Sequence, residues 1–198
     1  MTAKIIVIEG PDRHGKSTQA SLLLNSCITS GYKTILLKLP TVMCARTHKL
    51  IYKMLVDGRA QRYPNLFQFI NFINKLTFQV LYLRKLLDEN DVVILDRWNL
   101  SSFVYGKATG VNRLLNWLMF RSLKEPFVTI IVHGKSFKRS IEDDCYENDT
   151  SLQKRVAELY GEWADDNFAS CIKVNNANND INGMHDEIFV KLLTICAL

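Results

Sequence analysis

The chain has 198 residues, 47% of them hydrophobic and 23% charged, and 25 Lys and Arg against 20 Asp and Glu leave a formal net charge of +5. These are the proportions of one folded domain, here 1–198, and nine Gly with four Pro exclude a collagenous, low-complexity or disordered chain. No basic run marks a nucleic-acid tail, no apolar run reaches bilayer-spanning length, and five scattered cysteines without a C-x-x-C pair fit reduced thiols in the cytoplasm rather than disulfides or zinc.

Residues 4–9 form a short apolar run rich in Ile and Val, which predicts a strand buried on both faces. A glycine-bearing turn leads into a helix over 16–30, with Gly31 as its stop. A second buried strand is expected over 33–39, ended by Pro40, and a helix over 47–56, broken by Asp57-Gly58. Residues 64–89 predict one long helix whose buried face carries Leu66, Ile70, Ile73, Thr77 and Val80. Strands follow over 92–95, 127–132 and 171–174, and helices over 112–124, 150–168 and 186–193, the second capped by Thr150 or Ser151. Residues 135–149 are polar, without clear period, and suit a short lid. Doubly apolar strands alternating with helices predict an α/β fold, a parallel sheet covered on both faces.

Directly after the first strand stands Gly10-Pro11-Asp12-Arg13-His14-Gly15-Lys16-Ser17, a match to G-x-x-x-x-G-K-[ST]. Its glycines let successive N–H groups point at phosphate oxygens; Lys16 supplies a point charge and Ser17 a Mg²⁺ ligand. Gly10, Asp12, His14, Gly15, Lys16, Ser17 and Thr18 are the expected ATP-binding residues of this loop. Arg13, at a variable position, is placed to reach the transferred phosphoryl group as a cation supplied in cis. Asp96 closes the third strand, where an acid commonly holds Mg²⁺, and Arg97 then faces a second anion. No guanine-reading N-K-x-D exists, since Asn74-Lys75-Leu76-Thr77 lacks the Asp, which leaves a small nucleotide or metabolite kinase.

The pieces Ile8 to Gln19, Leu39-Pro40, Asp96-Arg97-Trp98 with Ser101-Ser102 and Tyr105, and Tyr146-Glu147 with Gln153-Lys154-Arg155 resemble the thymidylate kinase family. The resemblance runs from Lys4 to about Phe168. It implies a three-layer P-loop NTPase fold with a parallel five-stranded sheet and a lid, and transfer of the γ-phosphoryl of MgATP to dTMP. It also implies that Asp12 binds the acceptor's 3′-hydroxyl, Arg13 is the catalytic cation, Arg97 holds the acceptor phosphate and Tyr105 packs against the sugar. Lys138 or Arg139 would lie beside the adenine, and Tyr146 and Gln153 would approach the acceptor. Ser101 would also belong to the acceptor site.

This sequence departs from the family where the acceptor would bind. Lys38-Leu39-Pro40 replaces Arg-Phe-Pro, losing the bidentate fork that Arg offers a phosphate. Trp98 replaces Tyr. The family's long helix carries a Phe that stacks on the base and an Arg four residues later that reads it; the resemblance implies Phe72 or Phe69, and Lys75, in those roles, with Phe72 and Lys75 three apart instead. Relaxed specificity follows as an expectation, with dUMP or a 5-substituted dUMP accepted beside dTMP. A deoxynucleoside kinase using Glu9 as base, and a non-catalytic nucleotide-binding protein, are the alternatives. The family resemblance further implies a homodimer, with Phe67, Phe78 and Leu81 as its contact face or, equally, as core. No nucleic-acid or membrane partner is expected, and the location is cytoplasmic, the host cytoplasm for a viral source.

Overall fold

The computed structural model describes residues 3–134, 145–167, 169–176 and 180–196. Five strands, β1 (Lys4–Glu9), β2 (Thr34–Lys38), β3 (Val92–Asp96), β4 (Val128–Gly134) and β5 (Cys171–Asn176), make one parallel sheet in the order β2-β3-β1-β4-β5. The helices are α1 (Lys16–Thr29), α2 (Ala45–Val56), α3 (Arg59–Arg62), α4 (Pro64–Phe78), α5 (Arg84–Glu89), α6 (Asn99–Ala108), α7 (Arg113–Arg121), α8 (Thr150–Asp166) and α9 (Ile181–Cys196).

Alternation along β1 divides the core. Ile6 and Ile8 face one layer with Leu23 of α1 and Ile188 and Leu192 of α9. Ile5 and Val7 face the other, against Phe78, Leu83 and Trp98. Further along that second layer Ile131 of β4 meets Val104 and Tyr105 of α6 and Val156 and Tyr160 of α8. All four residues Ile5 to Ile8 are 3% exposed or less, so each contributes about 1.5–3 kcal/mol of hydrophobic burial. Register brings the strand ends level: Ile8 pairs with Asp96, and Asp96 with Lys38. This edge, where the chain order reverses across β1, is where open α/β sheets bind ligands.

The fold class is the expected one, and several elements differ from the sequence reading. The long helix is interrupted by a π turn at Gln79–Leu83 between α4 and α5. Its buried face is also different: Phe67, Gln68, Asn71, Asn74, Lys75 and Phe78 point inward, while Leu66 and Val80 are 52% and 67% exposed. The inward side borders a polar cavity rather than only core, so hydropathy selects the wrong face. Helix α6 has no predicted counterpart, because seven of its ten residues are buried and no amphipathic period survives. Asp149, not Thr150 or Ser151, caps α8, accepting from the Leu152 N–H at 2.9 Å. Helix α9 is longer than expected at both ends. Most of the expected lid, with Lys138 and Arg139, lies outside the described residues.

Candidate active site

At the end of β1 the chain turns through Gly10 to Gly15 into α1. Gly10 has φ +140°, and a Cβ there would collide with the Val132 carbonyl oxygen of β4; Gly15 has φ +87°. Only glycine meets both demands. Helix α1 opens with no side-chain cap and no acid in its first turn. Its first N–H groups and the positive end of its dipole therefore face the loop uncompensated, which suits a phosphate. Lys16 is 7% exposed and donates to the Pro11 carbonyl, 3.8 Å from an Asp12 carboxylate oxygen. Burial, reinforced by the Arg97 charge, pushes its ammonium down to about 8. Thr18 lines the cavity shared by the two halves of the site; His14 does not. The His14 ring instead lies 2.6 Å from the Asp12 carbonyl and 3.2 Å from the Gly134 carbonyl, bracing the loop against β4.

Across the strand ends, Ser17 Oγ donates to Asp96 Oδ2 at 2.7 Å, while Asp96 Oδ1 is buried with no hydrogen-bond partner. A hydroxyl beside a carboxylate with one unsatisfied oxygen suits Mg²⁺, a hard ion that takes few protein oxygens and shares substrate phosphates. Among the described residues no cluster of three or more His, Cys, Asp or Glu forms a metal site of its own.

A second constellation faces the loop. Asp12 accepts from Arg97, from the Tyr105 hydroxyl and from Gln153 Nε2 at 3.1 Å, and its own N–H donates to Gln153 Oε1 at 3.1 Å. Burial alone would raise the Asp12 carboxyl, but Arg97 and Lys16 hold it well below the usual carboxylate range. Burial and the Asp12 charge push the Tyr105 hydroxyl well above its ordinary value. Arg97 lies 5.7 Å over the Tyr105 ring and 3.4 Å from Ser101 Oγ. Its backbone sits at φ +72°, held by a bond from its N–H to the Ile8 carbonyl at 3.0 Å. Glu9, fully buried, anchors the next helix: its carboxylate accepts from the Trp98 N–H at 2.7 Å, the Ser101 N–H at 3.2 Å, the Ser101 hydroxyl and the Tyr160 hydroxyl at 3.0 Å. It thereby caps α6, which carries Ser101 and Tyr105.

Both constellations open on one cavity of about 920 Å³, lined among others by Lys16, Lys38, Asp96, Arg97, Tyr105 and Tyr146. Lys38, at the end of β2, is exposed at its edge. The Tyr146 ring stacks on Tyr105 at 5.8 Å and meets Phe67 edge-on at 5.3 Å. Phe69 and Phe72 do not line the cavity. Phe69 is 44% exposed, and Phe72 packs on the core beneath α4. The aromatic that α4 presents there is Phe67, one turn before Asn71. Lys75 reaches the cavity wall, but its ammonium donates to the Trp98 carbonyl and Ser102 Oγ, each at 2.6 Å, and burial pushes it down to about 8. Arg13, at φ +64°, turns away toward the segment before α8, with Nε 3.3 Å from Glu147 and Nη2 donating to Asn148 at 3.3 Å. Arg139 lies outside the described residues.

Two solved structures share this architecture, the thymidylate kinases of Candida albicans and Ehrlichia chaffeensis. Each has a TM-score of 0.77, at 21% and 22% identity. The matches cover 98% of this chain and 92% of the first, and 97% of this chain and all of the second. The thymidylate kinase family model matches residues 8–188. The chain belongs to the thymidylate kinase family. Relatives named probable thymidylate kinase occur in Thermococcus gammatolerans, 31% identical over 92% of both chains, and Pyrococcus horikoshii, 32% identical over 95% of both. Thymidylate kinases are nucleoside monophosphate kinases, which need a donor site and an acceptor site; the phosphate loop and the Asp12–Arg97–Tyr105–Gln153 cluster face each other here. Sequence reasoning did not find Gln68 and Asn71 on the cavity wall or Phe67 beside them. Their i, i+3, i+4 spacing was visible, but Gln and Asn on a helix read as solvated.

Proposed function

We propose that the chain transfers the γ-phosphoryl of ATP to dTMP, giving dTDP, and accepts dUMP as well. One observation carries this reading: a partly buried, preorganised cation, Arg97, stands with Asp12 and Tyr105 across a single cavity from a phosphate loop. Lys16 and the backbone N–H groups at the head of α1 hold the donor phosphates. Arg97, with Lys38 at the rim, holds the acceptor phosphate in line. Asp12 accepts from the sugar 3′-hydroxyl and Tyr105 packs on the sugar's 2′ carbon. Arg13, released from Glu147 and Asn148, neutralises charge gathering on the transferring group. Ser17 and Asp96 would hold Mg²⁺, which would offset the charge of the donor phosphates. A nucleoside monophosphate is already ionised near neutrality, so positioning and electrostatics carry the rate without a strong base.

The alternative, phosphorylation of a nucleoside, requires a carboxylate base at the 5′-hydroxyl. Glu9 is poorly suited to it, being fully buried and committed to four donors. Lys38 in place of a bidentate Arg supports the wider acceptor range. A homodimer is also part of the reading. Phe67 and Phe78 are 4% and 0% exposed and belong to the core, so its contact face is carried by Leu81 with Leu66, Phe69 and Val80, beside Leu114, Trp117 and Leu118 of α7. The scattered cysteines, with no C-x-x-C pair, suit a cytoplasmic enzyme, and no helix among the described residues is long and apolar enough to cross a membrane. A coupled ATPase assay with dTMP, dUMP, dCMP, dGMP and thymidine tests the proposal. Turnover on dTMP and dUMP is expected; turnover on thymidine alone would overturn it.

A further inference from the structure

We propose that Gln68 and Asn71 read the edge of the acceptor base, and that Asn71, pinned to the Phe67 carbonyl, separates 4-oxo from 4-amino pyrimidines. The proposal rests on the acceptor being a pyrimidine nucleoside monophosphate. Phe67, Gln68, Asn71 and Lys75 are the α4 residues on the cavity wall. The two carboxamides are 2% and 7% exposed.

Asn71 Nδ2 donates to the Phe67 carbonyl one turn back, at 3.1 Å. That bond fixes the amide and leaves Oδ1, a pure acceptor, for the cavity. The Gln68 carboxamide makes no hydrogen bond to any described residue and lines the cavity, where a ligand can satisfy it. Beside the pair, the Phe67, Tyr146 and Tyr105 rings form a contiguous aromatic wall suited to a flat ring. The nearest cation on the helix, Lys75, is committed to Trp98 and Ser102. Base recognition therefore falls to neutral amides.

The hydrogen-bond arithmetic selects the base. A 4-oxo pyrimidine offers its N3–H to Asn71 Oδ1, and its O4 accepts from the Gln68 amide. A 4-amino pyrimidine turns the N3 lone pair toward Asn71 Oδ1. To relieve that clash Asn71 must flip, which sets its oxygen against the Phe67 carbonyl. A site built of such polar groups rejects mismatched analogues strongly. Position 5 of the ring takes no part, so dTMP and dUMP satisfy the pair equally.

The experiment compares wild type, Gln68→Met and Gln68→Glu on dTMP, dUMP and dCMP, with the KM for ATP and the Tm recorded for each. Gln68→Met keeps the side chain's shape and is expected to lower kcat/KM for dTMP and dUMP by roughly 10- to 100-fold, leaving the KM for ATP unmoved. Gln68→Glu accepts from a 4-amino group but not from a 4-oxo group, and should shrink the dTMP-to-dCMP ratio by a similar factor or more. Wild type should fail on dTMP methylated at N3. A ratio that stays put in both variants, or normal turnover of the N3-methyl substrate, overturns base reading while leaving the kinase assignment intact. A wild type inert on both dTMP and dUMP overturns the two together.

Discussion

Lys16 shows how a site can be set for its ligand. Burial, with Arg97 beside it, holds its ammonium at about 8, against an ordinary value of 10.5. Above pH 8 the ligand-free protein therefore carries a partly neutral lysine, and the donor phosphates restore the charge. ATP binding is expected to take up protons at pH 8.5 to 9 and almost none at pH 6.5. Calorimetry in two buffers of different ionisation enthalpy measures this, and Lys16→Met should abolish it. Arg13 is the opposite case, held by weak, half-exposed contacts to Glu147 and Asn148. A surface pair of this kind contributes about 0–1 kcal/mol, so the guanidinium is released at little cost. Arg13→Ala should lower kcat about 10³-fold or more with a small change in the KM for dTMP. An unchanged kcat would remove Arg13 from the mechanism.

At the scale of elements, α6 depends on a residue from another strand. Its N-terminus has no capping side chain of its own; Glu9 of β1 performs that task and ties in Tyr160 of α8. Glu9→Ala strands several buried donors and is expected to cost about 2–4 kcal/mol. For a chain of this length that is about 4–16 °C of Tm by calorimetry. Glu9→Gln keeps the carbonyl that accepts from Trp98 and Ser101 and should recover most of the loss. The same elements show what can be read from sequence. The phosphate loop was legible because glycine geometry, the lysine and the hydroxyl are dictated locally. The strands were legible because burial on both faces leaves an uninterrupted apolar run. Helix α6 and the inner face of α4 were not, because their periodicity is erased where a helix faces a polar cavity. Asn74 illustrates this: fully buried, it bonds the Thr41 N–H at 2.9 Å and Thr47 Oγ1 at 2.9 Å to hold the loop after β2. No hydropathy rule finds such a residue.

For the whole molecule, the net charge of +5 conceals an uneven distribution. From Arg13 to Val56 there are seven Lys and Arg and no acid, and this stretch contains the second half of the phosphate loop, Lys38 and α2. The cavity itself is lined by Arg13, Lys16, Lys38, Lys75 and Arg97 against Asp12, Asp96 and Glu147, a cationic excess that favours anionic nucleotides. The apolar residues exposed on α4 and α7 form the other large-scale feature. If they bury against a second copy, Trp117→Glu with Leu81→Glu should convert a dimer to a monomer by light scattering. A wild type that is monomeric at all concentrations would discard this face as an interface.

Two positions bring residue and fold into conflict. Arg13 and Arg97 both occupy positive φ, where glycine is comfortable and a side chain is not. Ordinarily Ala is more stable than Gly. At residue 13 the ranking should invert, with Arg13→Gly more stable than Arg13→Ala by about 0.5–1 kcal/mol in denaturant melts. A lineage freed from catalysis would then drift toward glycine there. An arginine at both positions is thus a backbone cost that the proposed phosphate roles would account for.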